Sequence, residues 1–288
     1  MKSKNKYLMK NLFTTVLMGL AFLIIPEASF SQTTNLISFN IKYDNTSDTI
    51  NNWNKRKASL AKLIQHYDAD IIGIQEGLHN QVDYLNNALN GYSYVGVGRD
   101  DGQQKGEYSA IFYNSDKFKV LKTNTFWLSE TPEKVSVGWD ASLERICTYA
   151  LFENVRTKKQ FWVFNTHFDH RGKQARVNSA QLIYKNIKEI NTTDLPVILM
   201  GDLNLTPDTE PIQFLKKNLT DALEISQKPF YGPIGTFNGF DQDRIMENRI
   251  DYIFVNNIDV LSYTHIDDRM PNNMHISDHL PVLMTVKD

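Results

Sequence analysis

The chain reads as an α/β sandwich, two packed β-sheets with helices on their outer faces, and three observations carry that reading. Short apolar runs rich in Ile, Val, Phe and Tyr dominate it, helical stripes fall between some of them, and no linker or short-period repeat divides it. Strands are expected at 36–43, 71–75, 92–97, 108–113, 146–152, 161–168, 197–200, 250–255 and 280–286. Leu60, Leu63, Ile64 and Tyr67 repeat at i, i+3, i+4 and i+7, as do Ala180, Ile183, Tyr184 and Ile187, which predicts two helices; Val82, Leu85 and Leu89 predict a third. Sandwiches reach about 250 residues as one unit, so one domain is expected over residues 32–288.

Residues 1–31 read as an address and not as part of that domain. Lys2, Lys4, Lys6 and Lys10 precede an apolar run from Leu12 to Ile25, and Ser29 and Ser31 bracket Phe30 as small residues bracket a signal-peptidase site. That run of 14 residues is short of the roughly 20 a spanning helix needs. Cleavage and release to the periplasm or the exterior are therefore expected, with no integral membrane segment afterwards. Loss of four lysines and one glutamate takes the formal charge from −2 to −5 over the remaining 257 residues, which speaks against a dedicated polyanion binder. Cys147 is the sole cysteine, so neither an intramolecular disulfide nor a paired-thiol motif can underlie function.

The chemistry gathers where the strands end. Four apolar runs terminate in groups that a core would not hold unpaired: Asn40, then Gln75 and Glu76, then Asn165 and His167, then Asp202 and Asn204. Strand alternation places Asp202 with Asn204, Asn165 with His167, and Arg249 with Asp251 on common faces. Each alone reads as a turn former or a surface group. Together, Asn40, Glu76, Asp202, Asn204, Asp251 and Asp278 offer hard oxygens while His167, His279 and Arg145 offer donors to an oxyanion, a combination suited to a phosphate and a hard cation.

These residues resemble the endonuclease/exonuclease/phosphatase superfamily in order and approximate spacing. The resemblance rests on Asn40, Gln75-Glu76-Gly77, Asn165-Thr166-His167, Gly201-Asp202-Leu203-Asn204, Arg249-Ile250-Asp251 and Ser277-Asp278-His279-Leu280-Pro281. The stretch from Thr125 to Asp140 is similar to a secreted bacterial branch. The resemblance implies mixed sheets in a four-layer α/β/β/α sandwich of the deoxyribonuclease I type. It also implies that Glu76, with Asn40 and Asp278, holds Mg²⁺ or Mn²⁺. Asp202 would then take a proton from the attacking water, Asn204 would hold that water or a phosphoryl oxygen, and His279 and His167 would donate to the phosphoryl group. Asp251 would orient His279, Glu107 would orient His167, each raising its imidazole pKa, and Arg145 would contact the phosphate.

The expected activity is metal-assisted hydrolysis of a phosphate mono- or diester by in-line attack of water. A secreted nuclease and a non-catalytic binding module on the same fold are the alternatives. Leu78 stands where deoxyribonuclease I carries a groove-reading arginine, and Glu247-Asn248-Arg249 departs from the inositol 5-phosphatase pattern. A phosphorylated small molecule, sugar phosphate or phospholipid headgroup is accordingly favoured over nucleic acid, with a monomer as the default. Trp127, Trp139, Phe230, Tyr231, Phe237 and Phe240 fall on the expected loop rim, where at least half of them should pack beneath loops rather than stack on a ligand.

Overall fold

Each strand of a sandwich must satisfy its backbone laterally and bury side chains on both faces. A computed structural model describes residues 33–287; the expected leader lies outside them. The elements are β1 (Thr33–Asn40), α1 (Trp53–His66), β2 (Ile71–Gln75), α2 (His79–Ala88), β3 (Tyr92–Val95), β4 (Ile111–Asn114), β5 (Phe118–Trp127), β6 (Ile146–Asn154) and β7 (Gln160–His167). They continue with α3 (Lys173–Ile190), β8 (Val197–Asp202), α4 (Glu210–Asn218), β9 (Thr220–Asp221), α5 (Ala222–Ile225), β10 (Asp251–Asn256), β11 (Val260–His265) and β12 (Val282–Lys287).

Two six-stranded sheets form, in the orders β11-β12-β1-β2-β4-β3 and β5-β6-β7-β8-β10-β9. Each is mixed: β1 and β2 are parallel with Leu36 beside Ile71, β7 and β8 are parallel with Trp162 beside Val197, and the other pairs are antiparallel. Alternation then sorts side chains into layers. Leu36, Ile71, Val163, Ile198 and Ile253 meet between the sheets. Their neighbours Ile37 and Ile72 face Leu60, Ile64 and Leu85 of α1 and α2, whereas Phe164 and Leu199 face Ala180, Ile183 and Leu215 of α3 and α4. The result is the expected α/β/β/α stack.

Parallel neighbours end at one edge of a sheet, and antiparallel partners begin there. That geometry brings the ends of β1, β2, β7 and β8 together with the start of β10, where Asp251 pairs with Asp202, and with His279 just ahead of β12. Glycine permits two of the close approaches. A Cβ at Gly201 (φ 150°) would lie 2.0 Å from the Thr166 carbonyl oxygen, and one at Gly73 would lie 2.8 Å from Asn165 Oδ1 across the sheet interface.

The structure departs from the sequence expectation where apolar pattern and hydrogen bonding part company. Edge strand β5 has a largely exposed middle and a bulge between Val120 and Lys122, so it carries no apolar run. Helix α4 and strand β11 were likewise absent from the expected elements. The expected strand at 108–113 forms only over β4, because Tyr108 bridges Gly77 and Gly98 instead, and the Ala110 carbonyl accepts from the Ile74 N–H and from Asn165 Nδ2. Among the described residues no helix is long and apolar enough to cross a membrane.

Candidate active site

Three strand ends are closed by non-glycine residues in the left-handed region: Lys42 (φ 55°), Glu76 (φ 62°) and Asn204 (φ 51°). Such backbone is costly and persists only where its surroundings enforce it. Here it turns three polar side chains back over the edge they have just left.

Asp202 is the centre. Its Oδ2 accepts from Asn40 Nδ2 at 2.9 Å, its Oδ1 accepts from the Asn204 N–H at 2.9 Å, and Oδ2 lies 3.5 Å from His167 Nε2 and 3.7 Å from His279 Nε2. Burial pushes its carboxyl up to about 7 against the pull of His279, with Asp251 adding to the rise. His279 donates from Nδ1 to Asp251 Oδ2 at 2.9 Å, while Asp251 is itself held by its N–H to Thr236 Oγ1 at 3.1 Å. Burial disfavours the imidazolium, but the Asp251 and Asp202 carboxylates outweigh it and raise His279 to about 10. The Phe237 ring packs edge-on against this imidazole, 5.1 Å away.

Glu76 lies on the opposite wall. Its Oε1 accepts from Asn40 Nδ2 at 3.0 Å and its Oε2 from the Tyr43 N–H at 3.2 Å. Burial alone would raise this carboxyl; Lys42 and Asn40 hold it below its ordinary value. The Lys42 ammonium is 3.3 Å from Glu76 Oε2 and 3.3 Å from Asp278 Oδ2. Ligand atoms of Glu76, Asp202 and His279 lie within 4.8 Å of one another; with His279 charged, the metal donors of this set are the two carboxylates.

Several expectations need correction. Asn40 does not point its oxygen at the carboxylates: Oδ1 accepts the Lys42 N–H at 3.1 Å, which leaves the amide NH₂ to bridge Glu76 and Asp202. Glu107 does not hydrogen-bond His167. It forms a two-pronged pair with Arg99 at 2.7 and 3.0 Å and stays 3.9 Å from His167 Nδ1. The His167 pKa is not raised either; burial, then Arg145 and Arg99, hold it well below its ordinary value. Asn204 Nδ2 lies 3.0 Å from His167 Nε2 and donates to the Phe168 carbonyl at 3.0 Å. Arg249 does not share the exit of Asp251, since it turns to Asp221 and lies over the Tyr252 ring at 4.4 Å. Asn165 is fully buried, receiving Gln75 Nε2 at 2.7 Å and donating to the Ile74 carbonyl at 2.8 Å, and so ties one sheet to the other.

Arg145 is buried, as a surface salt bridge would not be. Its Nε lies 3.5 Å from Asp169 Oδ2, its Nη2 meets His170 Nδ1 at 3.1 Å, and its Nη1 has no hydrogen-bond partner. Of the rim aromatics, Trp127 is buried and fastens the Arg99 carbonyl at 2.8 Å, while Tyr231 is exposed. Sequence reasoning missed Lys42, Arg99 and Arg56. Arg56 is fully buried and donates to the carbonyls of Asn51 (2.6 Å), Ile41 (2.9 Å), Ile276 (2.8 Å) and Lys42 (3.1 Å), joining the turns that carry Lys42 and Asp278. The signal was its position on the apolar stripe with Trp53, Leu60 and Leu63.

A family model described as Endonuclease/Exonuclease/phosphatase matches residues 37–279. The chain belongs to this family. Among solved structures, the mannosyl-6-phosphatase Bt3783 of Bacteroides thetaiotaomicron VPI-5482 is 40% identical with a TM-score of 0.84, covering 88% of this chain and 100% of that one. Protein L388 of Acanthamoeba polyphaga mimivirus is 29% identical over 253 residues, 81% of this chain and 91% of the relative. The Ccr4 3'-5'-exoribonuclease subunit of the CCR4-Not complex of Mycosarcoma maydis is 24% identical, over 86% of this chain and 49% of its own length. This endonuclease/exonuclease/phosphatase family member is a hydrolase of phosphate ester bonds.

Proposed function

We propose that the chain is an exported, divalent-metal-dependent phosphatase of a phosphorylated small molecule, a sugar phosphate being the substrate class of choice. One observation carries the reading: a buried Asp202 carboxyl, raised to about 7, stands between two imidazoles and is tied through Asn40 to Glu76. The 40% identical mannosyl-6-phosphatase supports a sugar phosphate, and the lysine-rich, apolar first 31 residues support export.

The donor set fits a hard divalent cation. Asp202, Glu76, Asp278 and Asp251 face Lys42 and a protonated His279, which leaves net negative charge among buried oxygens. Glu76 and Asp278 would hold it with Asp202 alongside, and Mg²⁺ or Mn²⁺ suits oxygen donors better than zinc does. Such an ion supplies Lewis-acid stabilisation of charge on the phosphoryl oxygens. Asp202 orients the attacking water and accepts its proton, a task suited to a carboxyl poised near neutrality. His279 donates from Nε2 to a phosphoryl oxygen as charge accumulates, while Asp251 keeps its ring charged and aligned. His167 and Asn204 fix the far side of Asp202, and the unpaired Nη1 of Arg145 waits for an anionic oxygen.

The test is phosphate release by residues 32–288 from mannose 6-phosphate and p-nitrophenyl phosphate, beside bis-p-nitrophenyl phosphate and plasmid DNA, with and without Mg²⁺ or Mn²⁺. Metal-dependent monoester turnover, lowered about 10³-fold or more in Asp202→Asn, is expected. Plasmid or diester cleavage exceeding monoester turnover would replace this reading with the nuclease one.

A further inference from the structure

Two residues beyond the end of β1, the left-handed backbone of Lys42 sends its side chain back towards the strand edge. Arg56 locks that turn from behind through the Ile41 and Lys42 carbonyls. The ammonium is thereby set against two carboxylates from different parts of the chain, 3.3 Å from each. Glu76 has no idle oxygen, since Oε1 accepts from Asn40 while Oε2 accepts from the Tyr43 N–H and abuts Lys42. Any ion that binds Glu76 through Oε2 therefore meets an ammonium already in place. The side chain is 29% exposed, and its flexible four-carbon stem gives it a route outwards.

We propose that Lys42 is a tethered counter-cation, which holds Glu76 and Asp278 together in the metal-free protein and is displaced when a divalent ion binds, so that metal loading is an exchange of cations. The proposal rests on the reading of Glu76 and Asp278 as metal ligands given above. Two buried carboxylates without an intervening positive charge repel each other, and a lysine on a short tether removes that repulsion before metal arrives. The exchange also sets the metal affinity, because the ion must compete with a charge at very high effective concentration.

Direct metal binding tests this apart from activity. Mn²⁺ titrations followed by electron paramagnetic resonance should give Lys42→Met a dissociation constant about tenfold or more below that of wild type. Independently, acylation of Lys42 by an N-hydroxysuccinimide ester in the wild-type protein, quantified by peptide mass spectrometry, should rise several-fold when Mn²⁺ is added. Wild-type Mn²⁺ binding as tight as or tighter than that of Lys42→Met, or Lys42 acylation that does not rise with Mn²⁺, overturns the exchange while leaving the metal reading intact. Absence of Mn²⁺ binding by both proteins overturns the metal reading and the exchange with it. If Lys42→Met does not fold, the wild-type acylation result decides.

Discussion

Replacing Arg56 by methionine should unfold the edge of the site from behind without touching a group that meets substrate. The guanidinium makes four hydrogen bonds to backbone carbonyls, at 2.6 to 3.1 Å. Each hydrogen bond from a charged donor contributes about 1.5–3 kcal/mol, while desolvating the guanidinium costs several kcal/mol; burial already lowers its pKa to about 10. The residue sits at 0% exposure, so truncation leaves carbonyls of Ile41 and Ile276 with no replacement partner. A net loss of about 3–5 kcal/mol follows, read as a fall in the urea midpoint at unchanged slope. Arg56→Lys should recover only part, because one ammonium cannot reach all four acceptors. If Arg56→Met cost under about 1 kcal/mol, or Arg56→Lys matched wild type, the claim that this side chain ties the Lys42 and Asp278 turns together would be refuted.

Three further outcomes are expected. Asp251→Asn removes the foremost of the carboxylates that hold the His279 ring charged; the imidazole pKa should fall from about 10, seen by NMR, and the alkaline limb of kcat/KM should move down with it. His265, buried with Nδ1 donating to the Pro233 carbonyl, has its pKa lowered from 6.5 to about 4 by burial. The unfolded chain therefore binds the extra proton, and the stabilisation present above about 6.5 is lost as pH falls towards 4: between pH 7 and 5 wild type should lose about 2 kcal/mol more than His265→Gln in urea titrations. Gly201→Ala drives a Cβ to 2.0 Å from the Thr166 carbonyl, which should cost about 2–4 kcal/mol and depress turnover through its neighbour Asp202; an unchanged melting temperature would contradict that contact.

The sandwich was legible because its pattern is local. Ile71 to Gln75 is a run of five residues with no exposed member, and α3 buries Ala180, Ile183 and Ile187 on a helical stripe. Strand β5 was not, since an edge strand may expose most of its side chains and take its order from hydrogen bonds to β6. Composition also revealed which residue types collect at the strand ends, and an acidic, amide-rich and imidazole-bearing set already pointed to phosphate and a hard cation. The linear order of residues thus determined the layers and the chemical inventory. Which atom faces which was decided by tertiary structure alone: Asn40 turned its amide to the carboxylates, Glu107 went to Arg99, and Lys42 came to lie between Glu76 and Asp278. The physical reason is that a buried charge is settled by partners within a few ångströms, and those partners here stand as far apart in the chain as Lys42 and Asp278.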